Sequence, residues 1–256
     1  LKPDAVLGLA TGSTPVGTYR KLTELYRAGR LDCSHITTVN LDEYLGLSAG
    51  HPQSYRSFMR KNLFDGIGLS ADRTFFPEIP ERLSDCRKNI PPSIGGIRNE
   101  TNQDIETALA ETCRQYDELL RSLGGTDLQL LGIGRNGHIG FNEPGDTFIR
   151  NTHTVMLAED TRQANSRFFS SIDDVPTRAC TMGIGGIFSA KKILLLANGA
   201  QKAQALQAAF CGPVTPQVPA SILQLHPDVT VIADEAAGQL LADGLSARRK
   251  PTFAVP

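Results

Sequence analysis

Five short runs that exclude charge constrain this chain most. They are "AVLGLA" at 5–10, "ITTVNL" at 36–41, "LQLLGI" at 128–133, "ILLLA" at 193–197 and "VTVIA" at 229–233. Each has the length of a strand; four are largely apolar on both faces, not on alternate positions, and "ITTVNL" is β-branched. Helical patterns lie between them. Val16, Tyr19, Leu22, Leu25 and Tyr26 share one face after the first run, and 103–123 and 157–171 carry similar patterns. Buried strands alternating with helices predict an α/β fold: three layers around a mostly parallel central sheet. Thr14 is the predicted N-cap of the first helix, Pro15 its first residue and Gly29 its stop.

No internal repeat or linker divides the chain, so 1–256 reads as one domain. The stretch 77–103 is rich in Pro, Gly and charge and reads as a surface excursion. A net charge of −1 gives no reason to expect a nucleic-acid partner. No apolar run reaches the about 18 residues that span a bilayer. Residues 1–10 carry no signal-peptide core, although the chain opens on Leu1 and not on Met. The five cysteines, Cys33, Cys86, Cys113, Cys180 and Cys211, contain no C-x-x-C pair. Reduced thiols in a cytoplasmic protein follow, with neither a metal site nor a disulfide framework.

Ligands of parallel sheets bind beyond the carboxyl ends of the strands. Four polar features fall there: 11–14, Asp42-Glu43, 134–143 and 199–202. "GLATGSTPVGTY" at 8–19 has the glycines and hydroxyls of an anion cradle but lacks the lysine of a nucleotide loop. It reads equally well as a capped turn. "GIGRNG" at 132–137 matches G-x-G-x-x-G, but "HIGFNEPG" follows where a dinucleotide site needs a helix. His138 and Glu143 on this loop form a candidate proton-transfer pair, because a carboxylate can orient an imidazole and stabilise its charged form. His35, His51, His153 and His226 have no such company and read as packed or solvated. In extended backbone only one of Asp42 and Glu43 can face a cleft, and Asp42 is the candidate.

Six segments, "LGLATGSTPVGTY", "VNLDEYLGL", "HPQSYRSFM", "GIGRNGHIGFNEPG", "DTRQANSRFF" and "GAQKAQALQAA", together resemble the glucosamine-6-phosphate deaminase family, the glucosamine/galactosamine-6-phosphate isomerases. They occur in that family's order and spacing and span about residues 5–76 and 108–235. The resemblance implies a modified Rossmann-like fold and a role in amino-sugar catabolism. The implied reaction is isomerisation with hydrolytic deamination of glucosamine 6-phosphate to fructose 6-phosphate and ammonium, with neither cofactor nor metal. It implies that Gly12, Ser13, Thr14, Arg167 and Lys202 hold the phosphate. It implies ring opening by His138 with Glu143 as its partner, and Asp42 as the base at C2. Asn136 stands where some members carry aspartate; it can orient a partner but cannot ionise. Residues 153–181 set Arg167 between polar, helix-like segments with no long apolar run and read as a lid that closes on the phosphate.

Some features depart from the family. The 77–103 stretch lacks the usual short connection. Asp146, His153 and Val155 stand where allosteric members carry serine, arginine and lysine, so strong allosteric activation is not expected. The family's sequences start earlier than Leu1, which implies a preceding element. Three other readings share these motifs in part: a deaminase of another amino-sugar phosphate such as the galacto epimer, a related lactonase, and a non-catalytic sugar-phosphate sensor. Oligomeric state is not legible.

Overall fold

The computed structural model describes residues 2–77 and 102–248. The excursion read at 77–103 lies almost wholly outside the described residues. In chain order the strands are β1 (Val6–Leu9), β2 (Thr37–Asn40), β3 (Asp42–Tyr44), β4 (Thr74–Phe75), β5 (Leu128–Leu131), β6 (His153–Met156), β7 (Arg178–Thr181), β8 (Ile193–Ala197) and β9 (Val229–Ala233). Six of them form one sheet in the order β4-β2-β1-β5-β8-β9, with every pair parallel. All five strands read from the apolar runs are in it. The sixth, β4, is two residues long, too short to leave a pattern.

The helices are α1 (Val16–Arg27), α2 (Tyr55–Met59), α3 (Asp65–Ile67), α4 (Asn102–Ser122), α5 (Glu159–Asn165), α6 (Ile184–Phe188), α7 (Ala203–Cys211) and α8 (Glu235–Arg248). A π turn over Arg60–Phe64 joins α2 to α3. On one face of the sheet Leu9, Leu130, Leu194 and Leu196 pack with Tyr19 of α1 and with Met59, Phe64 and Ile67. On the other, Val6, Leu131, Ile193 and Leu195 pack with Tyr116 of α4, Ile187 of α6 and Leu206 of α7. Leu130 and Leu131 are consecutive and enter opposite cores, because side chains alternate across a strand. This is why the strands read as unbroken apolar runs. Each fully buried Leu or Ile contributes about 1.5–3 kcal/mol.

A second, smaller sheet has the antiparallel order β3-β7-β6. Only Leu41 separates β2 from β3, so the chain passes from one sheet to the other at the carboxyl end of β2. The Asp42-Glu43 pair, read as the end of a strand, opens a strand of its own.

The start of α1 also differs from its reading. The helix begins at Val16, and the Pro15 carbonyl accepts the first helical bond, from Tyr19 N at 3.0 Å. The Thr14 hydroxyl turns away and donates to Asn198 Oδ1 at 2.7 Å. A partner from the loop after β8 has taken the group that local pattern assigned to capping. Gly29 ends the helix as read, at φ 67°, with Gly29 N and Arg30 N returning to the carbonyls of Tyr26 and Leu25.

Gly8 of β1 faces Gln129 of β5 in the parallel register. A β-carbon on Gly8 would lie 1.9 Å from Gln129 Oε1, and Gln129 is fully buried. Gly8→Ala is therefore expected to lower stability by about 1–3 kcal/mol, read as a lower urea midpoint at unchanged slope.

Candidate active site

From β1 the chain builds the sheet outward through β2 and β4. It then returns to the other flank of β1 with β5 and builds outward through β8 and β9. The loops after β1 and β5 therefore part, and a crevice opens between them at the carboxyl edge. The sequence features read at strand ends gather there.

One end of the crevice suits an anion. Gly12, at φ 92°, makes the turn that leads into α1. Ser13 Oγ accepts from Arg167 Nη2 at 3.2 Å, and Thr14 is tied to Asn198 as above. Lys202, on a single 3-10 turn after β8, donates from Nζ to the Ile133 carbonyl at 2.6 Å. Burial lowers the Lys202 pKa, and the charges that add to this are Arg135 and Arg167, both cations. Cations drawn together against their own repulsion suit a phosphate. A cavity of about 710 Å³ adjoins this end, lined in part by Leu47, His51, Arg167 and Phe169.

The other end holds the candidate proton-transfer groups. Asn136 donates from Nδ2 to Glu143 Oε2 at 2.7 Å and accepts from His138 N at 3.2 Å. It thus clamps both ends of the loop. His138 Nδ1 lies 3.3 Å from Glu143 Oε2, within ion-pair distance but without hydrogen-bond alignment. Glu143 Oε1 accepts from the Thr161 hydroxyl at 2.6 Å. Burial alone would raise the Glu143 pKa. The His138 ring, Thr161 and Asn136 outweigh it and hold the carboxyl down at about 2. The "GIGRNG" run also acquires a local purpose. A β-carbon on Gly134 would lie 2.4 Å from the His138 ring, so glycine there makes room for the imidazole.

Asp42 reaches this loop from β3. A β-carbon on Gly140 would lie 3.4 Å from Asp42 Oδ2 and 3.1 Å from the hydroxyl of Thr181, which pairs with Asp42 across the small sheet. Asp42 is buried, and burial, followed by the neighbouring Glu43 carboxylate, raises its pKa well above the usual range. Glu43 points the other way. Its carboxylate accepts the N–H groups of Tyr44 and Tyr55 at 2.9 Å and of Arg56 at 3.0 Å, holding the start of α2.

Sequence reasoning missed three residues that bear on the site: Thr161, Asn198 and Arg135. Asn198 could have been found, because it follows β8 immediately. Arg135 lies inside the glycine loop already singled out. Thr161 lies inside the segment 160–169 already quoted, but nothing local ties it to Glu143; only the docking of α5 brings the two together. His226 is packed, as read, with Nε2 against the Ala190 carbonyl at 2.8 Å.

A doubly wound sheet with an anion turn at its switch point defines a class of α/β proteins that hold small phosphorylated ligands. The chain belongs to the family described as glucosamine-6-phosphate isomerases/6-phosphogluconolactonase, whose profile matches residues 2–232. It is 52% identical over 232 residues to a glucosamine-6-phosphate deaminase of Lachnoclostridium phytofermentans, covering 91% of this chain and 88% of that protein. A solved structure described as a monomeric glucosamine-6-phosphate deaminase superposes with a TM-score of 0.80 at 49% identity, over 93% of this chain and 89% of that one. A 6-phosphogluconolactonase from Thermotoga maritima shares the fold, with a TM-score of 0.62 at 18% identity over 91% of this chain and 85% of that one.

The raised pKa of Asp42 makes a stability prediction with a definite sign. Between the unfolded carboxyl pKa of about 3.9 and the higher folded value, the folded state binds more protons, so stability falls as pH rises. Asp42→Asn removes this titration. Its melting temperature is expected to exceed that of wild type by a few degrees at pH 8, with the gap closing toward pH 4, as read by calorimetry.

Proposed function

We propose that this chain is a deaminating isomerase that converts glucosamine 6-phosphate and water to fructose 6-phosphate and ammonium. The observation that carries the reading is the approach of a buried carboxylate, Asp42, to Gly140 of the loop that carries the His138–Glu143 pair, with cations gathered at Lys202. The 52% identity to a protein named for this reaction supports the substrate.

The chemistry requires these parts in this order. A cyclic sugar has no free carbonyl, so the C2 hydrogen is not acidic until the ring opens. His138, with Nδ1 turned to Glu143, has Nε2 left for the sugar and carries the anomeric hydroxyl proton to the ring oxygen. Asp42 then takes the C2 proton and leaves an enolamine. Return of that proton to C1 gives a C2 iminium, which water hydrolyses to the ketone, releasing ammonium. Hydrolysis only completes the aldose–ketose shift, so the class is isomerase with deamination, not hydrolase. Gly12, Ser13, Thr14, Arg167 and Lys202 hold the phosphate, and Asn136 keeps the Glu143–His138 loop in shape.

The lactonase reading explains less. Lactone hydrolysis removes no proton from carbon and leaves Asp42 without a task, and the lactonase likeness at 18% identity is one of fold. A sensor needs none of the three proton-transfer groups. The segment 153–181 forms the lid: it brings Arg167 to Ser13 from outside the main sheet. The protein works in the cytoplasm, where Cys33, Cys113 and Cys180 stay reduced.

Purified protein is expected to release ammonium and fructose 6-phosphate in equal amounts from glucosamine 6-phosphate; a coupled assay for each product checks this. Asp42→Asn should lower kcat by about 10²–10⁴-fold while the protein still binds the sugar phosphate. Arg167→Ala should instead raise KM by roughly tenfold or more, with a smaller effect on kcat. Rate curves should be hyperbolic and unmoved by N-acetylglucosamine 6-phosphate.

A further inference from the structure

Glu143 is held from two directions. Asn136 and His138 reach its Oε2 from its own loop. Thr161 reaches Oε1 from α5, at 2.6 Å, the shortest of the three contacts. Thr161 is buried, with 5% of its surface exposed, so no water competes freely for this bond. It is eighteen residues from Glu143 in sequence, and no strand pairing joins the two segments.

The same short segment carries Arg167. From Thr161 the chain completes α5, passes through the 3-10 turn Ser166–Phe168, and places Arg167 Nη2 3.2 Å from Ser13 Oγ. Arg162, next to Thr161, donates from Nη2 to the Ile172 carbonyl at 3.0 Å and ties the segment to itself further on. One short piece of chain therefore touches both ends of the crevice: the anion turn through Arg167, and the carboxylate of the proton-transfer pair through Thr161.

We propose that Thr161 is a positioning residue: its hydroxyl fixes the Glu143 carboxylate for His138 and joins that pair to the segment that carries Arg167 to the phosphate. This rests on the ring-opening role given to His138 and Glu143 above. Thr161 itself touches no reacting atom. With its hydroxyl in place, Oε1 is occupied and Oε2 alone faces the imidazole. Without it, the carboxylate can rotate about its last bond, and the imidazole loses a fixed partner.

The test compares T161V, which keeps shape and loses the hydroxyl, with T161S, which keeps the hydroxyl. Two readouts are taken: steady-state kinetics with glucosamine 6-phosphate, and the pH titration of the Glu143 carboxyl carbon by NMR in substrate-free protein labelled at glutamate. T161V is expected to lower kcat about tenfold with KM changed less than threefold. Its Glu143 titration should move upward by about one pH unit, because a donor to the charged form is gone. T161S should keep both close to wild type. Should T161V not fold, T161A replaces it in both measurements.

An unmoved titration with kcat within twofold of wild type overturns the proposal. So does a change in T161S as large as that in T161V, because a retained hydroxyl would then not preserve function and the effect would lie in the packing of α5. If wild type releases no ammonium, the substrate reading fails instead, and the titration still decides whether Thr161 holds Glu143.

Discussion

The arrangement depends on one topological constraint. Parallel strands joined through helices cross over with a single hand, so a sheet that grows both ways from β1 sends the loops after β1 and β5 apart. The gap lies at the carboxyl edge, where helices begin. Gly12 and the start of α1 lie on one side of it and the His138 loop on the other. The polar groups given a role reach this gap from several elements: the turn before α1, β3, the loop after β5, the segment from α5 to Arg167, and the turn after β8. The apolar packing on both faces of the sheet keeps those elements in place.

Within the gap, two carboxylates meet opposite environments. Glu143 receives donors from Asn136 and Thr161 and faces His138, and its pKa is held at about 2 despite burial. Asp42 is more deeply buried, is pushed by the Glu43 carboxylate, and has its pKa raised. Like groups are thus driven apart in proton affinity by their surroundings. A carboxylate that stays charged can orient an imidazole, and one that binds a proton readily can take one from carbon and return it. The small antiparallel sheet makes this difference. It removes Asp42 from the main sheet, and the alternation of β3 sends Glu43 to α2 instead of the crevice.

Much of this was legible in the chain. The five core strands, α1 with its glycine stop, and α4 follow from periodicity, because a buried strand or an amphipathic helix must show its burial in sequence. His138, Glu143 and Asp42 stood out because they follow strands, where ligands gather. The exceptions share a cause. Thr14 was read as a cap from its neighbours, yet its hydroxyl goes to Asn198, 184 residues away. The Asp42-Glu43 pair was read as a strand end, yet it pairs with β7, whose sequence lies far downstream.

The sequence by itself determined the five core strands and the main helices between them, that the sheet is parallel and covered on both faces, and which residues stand at its carboxyl edge. These are local properties, set by the period of apolar side chains and by turn chemistry. Only the tertiary structure decided which of those residues meet. The approach of Asp42 to the His138 loop, the reach of Arg167 to Ser13 and the bond from Thr161 to Glu143 each join segments that no local pattern links. Such contacts arise from how separate elements dock, and hydrogen bonds across that docking leave no periodic trace in the chain.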